Sequence, residues 1–359
     1  MKAILMLEDK RSFQGEALGV SGEAIGEVIL NTAVVGYQEM LTDPANTGKI
    51  LVLTYPLIGN YGVSPKFNES KQVWASGLVI KEQSRIYSNW QAKASFADFI
   101  KDKNLLTISE VDTRTLAVHL RQKGEMPGII STQCFETKEL LSKIESFRKN
   151  KPESLLPEIS VTKPKKLGKE KAKLRIAILD LGITNSIIRQ LETLGCSIWL
   201  LPYNTSPQEI LRLKPGGLII SNGPEEDRGL KEVVNNVKAL INKLPILGIS
   251  TGHQVLALTL GAKLNKMKLG HRGVNYPIQN PASYKGEITV QNHIFTVDAD
   301  SLSKIKEVKI TAFNLNDRSV EEMESRKLKF IGAQYYPASP GFNEVNNIFK
   351  KFLHLIKKE

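Results

Sequence analysis

A chain of 359 residues is long enough for two domains of ordinary size, and its 41% hydrophobic content supports packed cores and excludes wholesale disorder. The formal charge of +12 leaves an anionic partner open, but no aromatic-interleaved basic patch, zinc-ligand spacing or recognition-helix pattern accompanies it, so no nucleic-acid partner is expected and the lysines are read as a solvated surface. Two cysteines, Cys134 and Cys196, cannot build a disulfide framework and fit a reducing cytoplasm, the apolar start at 3–7 is too short for a signal peptide, and no run of about 20 apolar residues would cross a membrane.

Residues 1 to about 130 alternate short β-like runs with turns. The pattern predicts strands at Ala3–Leu7, Glu27–Leu30 and Ile50–Thr54, then a helix over Thr113–Gln122 with Gly124 just beyond its end. Composition shifts after Phe147. Three prolines fall between Lys149 and Lys173, and six lysines between Lys163 and Lys173, which reads as an exposed linker, with a nucleic-acid arm as the sharper alternative. From Leu174 the pattern becomes βα alternation. Strands are predicted at Leu174–Asp180, Ser197–Pro202, Gly217–Ser221 and Ile246–Ile249, with a helix over Asn185–Leu194 ended by Gly195. Apolar strands separated by helices imply a parallel sheet covered on both faces, with active groups beyond the carboxyl ends of its strands. Asn222-Gly223-Pro224 and Ser250 occupy such ends.

The most informative stretch is Gly248-Ile249-Ser250-Thr251-Gly252-His253-Gln254, which joins the apolar run Leu244–Leu247 to the helix-like Gln254–Leu258. Strand, glycine turn and helix make a nucleophile elbow with Ser250 at its apex. This elbow resembles that of class I glutamine amidotransferases, where the apex residue is a cysteine. The rest of the chain extends the resemblance. Gly36–Pro44, Leu53–Gly62 and Val111–Arg114 resemble signatures particular to the small, glutamine-hydrolysing subunit of carbamoyl-phosphate synthase. Ser221–Pro224, Gly252–Gln254, Gly270–Gly273, Gln291–His293 and Ala338–Gly341 resemble its amidotransferase half.

The resemblance implies an α/β chain with a small-subunit-specific domain (1–147), a lysine-rich linker (148–173) and an amidotransferase domain with a central, mainly parallel sheet (174–359). It implies a heterodimer in which glutamine loses its amide nitrogen here and ammonia passes to a large subunit. That partner makes carbamoyl phosphate from bicarbonate and ATP, for arginine and pyrimidine synthesis. ATP and Mg belong to the large subunit. No cofactor or metal is expected in this chain, and the absence of a P-loop pattern agrees.

The catalytic positions depart from the family. Amide hydrolysis there needs a thiolate, a histidine base, a carboxylate that orients it and an oxyanion hole. Ser250 replaces the cysteine, and a serine hydroxyl depends wholly on a general base. The base segment reads Gln334-Tyr335-Tyr336-Pro337-Ala338-Ser339. Tyr336 takes the histidine position, and the orienting glutamate is lost by a one-residue deletion. A phenol of pKa near 10 is no base at neutral pH. In the oxyanion loop Gly223 is kept, but Glu225 stands where the family has a second glycine. Thr251 replaces an apolar residue, Ala45 a serine that contacts glutamine, and Ile294 a glycine that supports it. Gln254, Asn292 and Phe295 match glutamine contacts. Lost glutaminase chemistry is therefore expected, and L-glutamine binding itself is placed in doubt.

Each position also has a plainer reading. Ser250 is then an inert elbow residue, Tyr336 packs into the vacated pocket, and Glu225 is a solvated loop charge or a block to glutamine entry. Cys196 at a strand start and Cys134 near the linker are inert thiols. His253, His271 and His293 match framework positions of the family. One alternative function is a non-catalytic interaction or regulatory protein. Another is a serine hydrolase, because Gly248–Gly252 fits G-x-S-x-G, with Asp298 or Asp300 and then His354 in the required order. His354, however, falls in an apolar-patterned terminal helix, Ile348–Ile356.

Overall fold

After Lys2, every residue of the run up to Leu7 is buried, which a strand achieves only when both its faces are covered. The computed structural model describes all residues except 169–171, 173, 342–343 and 358–359. They group into two units, Met1–Pro152 with Lys268–Arg272, and Glu153–Met267 with Gly273–Glu359.

In the first unit the strands are β1 (Lys2–Leu7), β2 (Ser12–Leu18), β3 (Glu23–Asn31), β4 (Lys49–Leu53), β5 (Leu57–Ile58), β6 (Gly77–Val79), β7 (Glu82–Gln83), β8 (Thr107–Ser109) and β9 (Met126–Ser131). Seven of them close a barrel in the order β1-β2-β8-β6-β4-β3-β9, and β5 pairs with β7. Closure pairs β1 with β9 antiparallel, Ile4 opposite Ser131. The helices are α1 (Tyr37–Thr42), α2 (Phe96–Asp102), α3 (Thr113–Lys123) and α4 (Thr137–Lys149). Asp112 caps α3 by accepting from the Thr115 N–H at 3.0 Å, and Gly124 at φ +102° ends it. Leu116 and Leu120 of α3 join Leu5, Val28, Ile50 and Ile108 in one core.

The second unit begins with α5 (Leu156–Ile159) and β10 (Lys165–Gly168), which lie within the lysine-rich segment. β11 (Leu174–Asp180), α6 (Asn185–Thr193), β12 (Cys196–Pro202), α7 (Pro207–Arg212), β13 (Gly217–Ile220), α8 (Leu230–Lys238), β14 (Ile246–Ile249) and α9 (Thr251–Thr259) follow. The chain continues through β15 (Leu264–Gln279), β16 (Gly286–Val297), α10 (Ala299–Ser303), β17 (Lys309–Asn314), β18 (Val320–Ser325), β19 (Phe330–Ala333) and α11 (Asn347–Lys357). Ten strands form one sheet, β10-β12-β11-β13-β14-β19-β18-β17-β15-β16. The central run β12-β11-β13-β14-β19 is parallel. Alternate residues of β13 enter different cores: Leu218 and Ile220 pack with Val255, Ile219 with Phe349. The sheet is therefore covered on both faces, as its unbroken apolar strands required. No helix among the described residues is long and apolar enough to cross a membrane.

Candidate functional site

The elbow forms where β14 ends and α9 begins. Ser250 sits between them at φ +52°, ψ −109°, a sparsely populated conformation for a residue with a Cβ, and is 1% exposed. The turn is fastened from both neighbouring strands: the Ser250 N–H donates to the Ala333 carbonyl at 2.7 Å and the Gly252 N–H to Ser221 at 3.1 Å. A Cβ on Gly252 would lie 2.0 Å from the Ile220 carbonyl oxygen, so only glycine lets α9 start this close to β13.

The Ser250 hydroxyl makes no cap bond to α9, and among the described residues no histidine is bonded to it. His253 is wholly buried, and burial pulls its ring down to about 4, so it stands neutral beneath the elbow. Tyr336, which the sequence reading puts at the base position, is half-buried. Its N–H donates to Val290 at 2.8 Å, and its hydroxyl accepts from Asn222 Nδ2 at 3.4 Å. The phenol therefore lies against the side-chain amide of Asn222, in the loop that follows β13. The adjacent Tyr335 is buried and donates to Glu322 at 2.6 Å; burial, then the Glu322 charge, hold its phenol protonated.

The loop after β13 is held rigidly. Asn222 Nδ2 also donates to the Gly182 carbonyl at 3.0 Å, and a Cβ on Gly223 would meet the Leu181 carbonyl oxygen at 2.0 Å. The Thr251 hydroxyl donates to the Gly223 carbonyl at 2.7 Å, so this substituted residue ties the loop to the first turn of α9.

Glu225 differs most from its sequence reading. It is not a solvated loop charge. It is half-buried, and its carboxylate accepts from Gln254 Nε2 at 2.7 Å and from the N–H groups of Ile294 at 2.8 Å and Phe295 at 3.0 Å. The His293 ring braces that stretch of β16, with Nδ1 2.9 Å from the Phe295 carbonyl. Gln254 lies 3.4 Å from Gln334 Oε1, and the buried Gln334 Nε2 has no hydrogen-bond partner among the described residues. The structure thus gathers Gly223, Glu225, Thr251, Gln254, Ile294 and Phe295 by direct bonds, and Asn292 stands on the same strand, β16. Ala45 belongs to the first unit, where it is buried in the short turn Pro44–Asn46. Nothing in the sequence flags the Glu225 contacts, because two of the three donors are backbone groups without a residue signature.

The serine-hydrolase constellation does not assemble. Asp298 caps α10, accepting from the Ser301 N–H at 2.9 Å, and also accepts from Asn265 at 3.1 Å. Asp300 and His354 are exposed, His354 on α11. Cys196 is buried and its thiol is pushed up to about 11 by burial, which removes thiolate at neutral pH.

Comparison with known proteins agrees in both units. Residues 5–130 match the family described as carbamoyl-phosphate synthase small chain, CPSase domain, and residues 177–355 match glutamine amidotransferase class-I. The carbamoyl phosphate synthase small chain of Chlorobaculum tepidum is 39% identical, covering 99% of this chain and 98% of its own length. That of Listeria monocytogenes is 38% identical over 99% and 97%. The pyrimidine-specific small chain of Bacillus subtilis is 36% identical over 99% and 96%. Full-length identity at this level, with both domains matched in order, means that the chain belongs to the carbamoyl-phosphate synthase small-chain family.

Proposed function

We propose that this chain is a small subunit that has lost glutamine hydrolysis. It docks on its large-subunit partner while that partner makes carbamoyl phosphate from free ammonia for arginine and pyrimidine biosynthesis. One observation carries the reading: the Tyr336 phenol lies against Asn222 where a base would be needed, and among the described residues no imidazole is bonded to Ser250. Without a base, a serine hydroxyl is a poor nucleophile toward an amide. The well-formed barrel and sheet support a kept scaffold, and ATP with its Mg is assigned to the partner.

The test mixes this chain with its host's large subunit and measures carbamoyl phosphate with glutamine or ammonium as nitrogen donor. Synthesis with ammonium alone, together with a stable complex, is the expected result. A glutamine-driven rate that Ser250→Ala abolishes would overturn the reading. Failure to bind any large subunit would favour a free-standing interaction or regulatory protein.

A further inference from the structure

Glu225 and Glu226 are neighbours in one loop, yet they are treated oppositely. Glu226 points to solvent and pairs with Lys266 at 2.8 Å across two exposed side chains. Glu225 turns inward and meets no cation among the described residues. Its partners are three neutral donors, two backbone N–H groups of β16 and the side-chain amide of Gln254 on α9.

Those donors belong to the sheet and to the elbow helix, not to the loop that bears Glu225. The Gln254 side chain and two successive N–H groups converging on one carboxylate form an anion-binding concavity. It engages both oxygens: Oε1 accepts from Gln254 and Phe295, Oε2 from Ile294. A cavity of about 290 Å³ shares Gln254 and Phe295 with this concavity and is also lined by Leu258 and Leu264. A loop carboxylate with no structural task would stay hydrated, as Glu226 does.

We infer that Glu225 is an internal ligand: its carboxylate fills a carboxylate-binding seat made by Ile294, Phe295 and Gln254, and the seat takes the carboxylate of a free amino acid only once Glu225 is removed. A ligand tethered by a short loop competes at an effective concentration on the order of millimolar or more, so a free amino acid cannot displace it at ordinary levels. The inference rests on the reading of this pocket as a glutamine site no longer used for hydrolysis. It adds that the pocket is closed by its own side chain.

Calorimetry on the full-length chain tests it, with L-glutamine and with L-glutaminamide, in which an amide replaces the α-carboxylate. Glu225→Ala is expected to bind L-glutamine at least about tenfold more tightly than the unmodified chain, and L-glutaminamide no more tightly than the unmodified chain does. Glu225→Gln keeps the size but turns an NH2 toward donors that the second carboxylate oxygen served, so it should also gain affinity for L-glutamine, though less than Glu225→Ala. Glu225→Gly, the smallest change, serves if the alanine variant does not fold. Folded alanine or glycine variants that gain no affinity for L-glutamine, or gain it equally for both probes, overturn the inference. Its failure is distinct from failure of the functional reading, which would appear as ammonia released from glutamine by the unmodified chain.

Discussion

His253 bears on stability through a single proton. Its ring is wholly buried near the Gly332 backbone, and its pKa falls from 6.5 to about 4. The folded state therefore refuses a proton that the unfolded state accepts below pH 6.5. Stability is whole above that pH and is lost as pH falls toward 4. At pH 4.5 the loss from this group is about 2–3 kcal/mol. Urea unfolding at pH 7.5 and 4.5 measures it: His253→Leu should lose less stability between the two pH values than the unmodified chain, by about that amount. Equal losses in the two chains would show that the ring is protonated in the fold. The same scale governs Glu225. Its identity as a departure was legible in the sequence, but its partners were not, because hydrogen bonds from peptide N–H groups are set by where β16 runs and not by which residues compose it.

Among the elements, the elbow was the most legible, since glycine spacing, an apolar strand and a helix start are all local signals. The structure places β14 at Ile246–Ile249 and α9 from Thr251, with Ser250 at positive φ between them. The contact that makes Gly252 necessary is not local: it lies against the carbonyl of Ile220, a residue of β13. Gly252→Ala should therefore destabilise the second unit by about 1–3 kcal/mol through overpacking, seen as a lower urea midpoint. An unchanged midpoint would mean that α9 can slide away from the sheet freely. The lysine-rich segment was less legible. β10 has a largely exposed pattern and among the described residues pairs only with β12, so it carries none of the apolar periodicity by which strands are found. The barrel closure was also hidden, because the pairing of β1 with β9 joins residues more than a hundred positions apart.

The whole molecule is not cut once along its sequence. Lys268–Arg272, surrounded in sequence by the second unit, packs with the first. There Arg272 Nε lies 3.0 Å from Glu125 Oε1, Nη2 lies 3.1 Å from Oε2, and the Gly270 N–H donates to Oε1 at 3.1 Å. The pair is nearly sealed, at 1% and 5% side-chain exposure. Burial pushes the Glu125 carboxyl up, but the Arg272 guanidinium and its hydrogen bonds outweigh this and hold it below the usual carboxylate range. Removing one partner of such a pair costs about 3–5 kcal/mol, because the other charge stays buried and uncompensated. The fragment 1–152 keeps Glu125 and loses Arg272. It should be less stable than the same unit in the full chain by about that amount. The sign of one substitution tests this reasoning. Glu125→Leu should raise the urea midpoint of the fragment, where the buried carboxylate has lost the Arg272 guanidinium, and lower that of the full chain, where it takes that carboxylate away from Arg272. If the substitution moves both midpoints in the same direction, the ion pair is not what ties the five-residue return to the barrel unit.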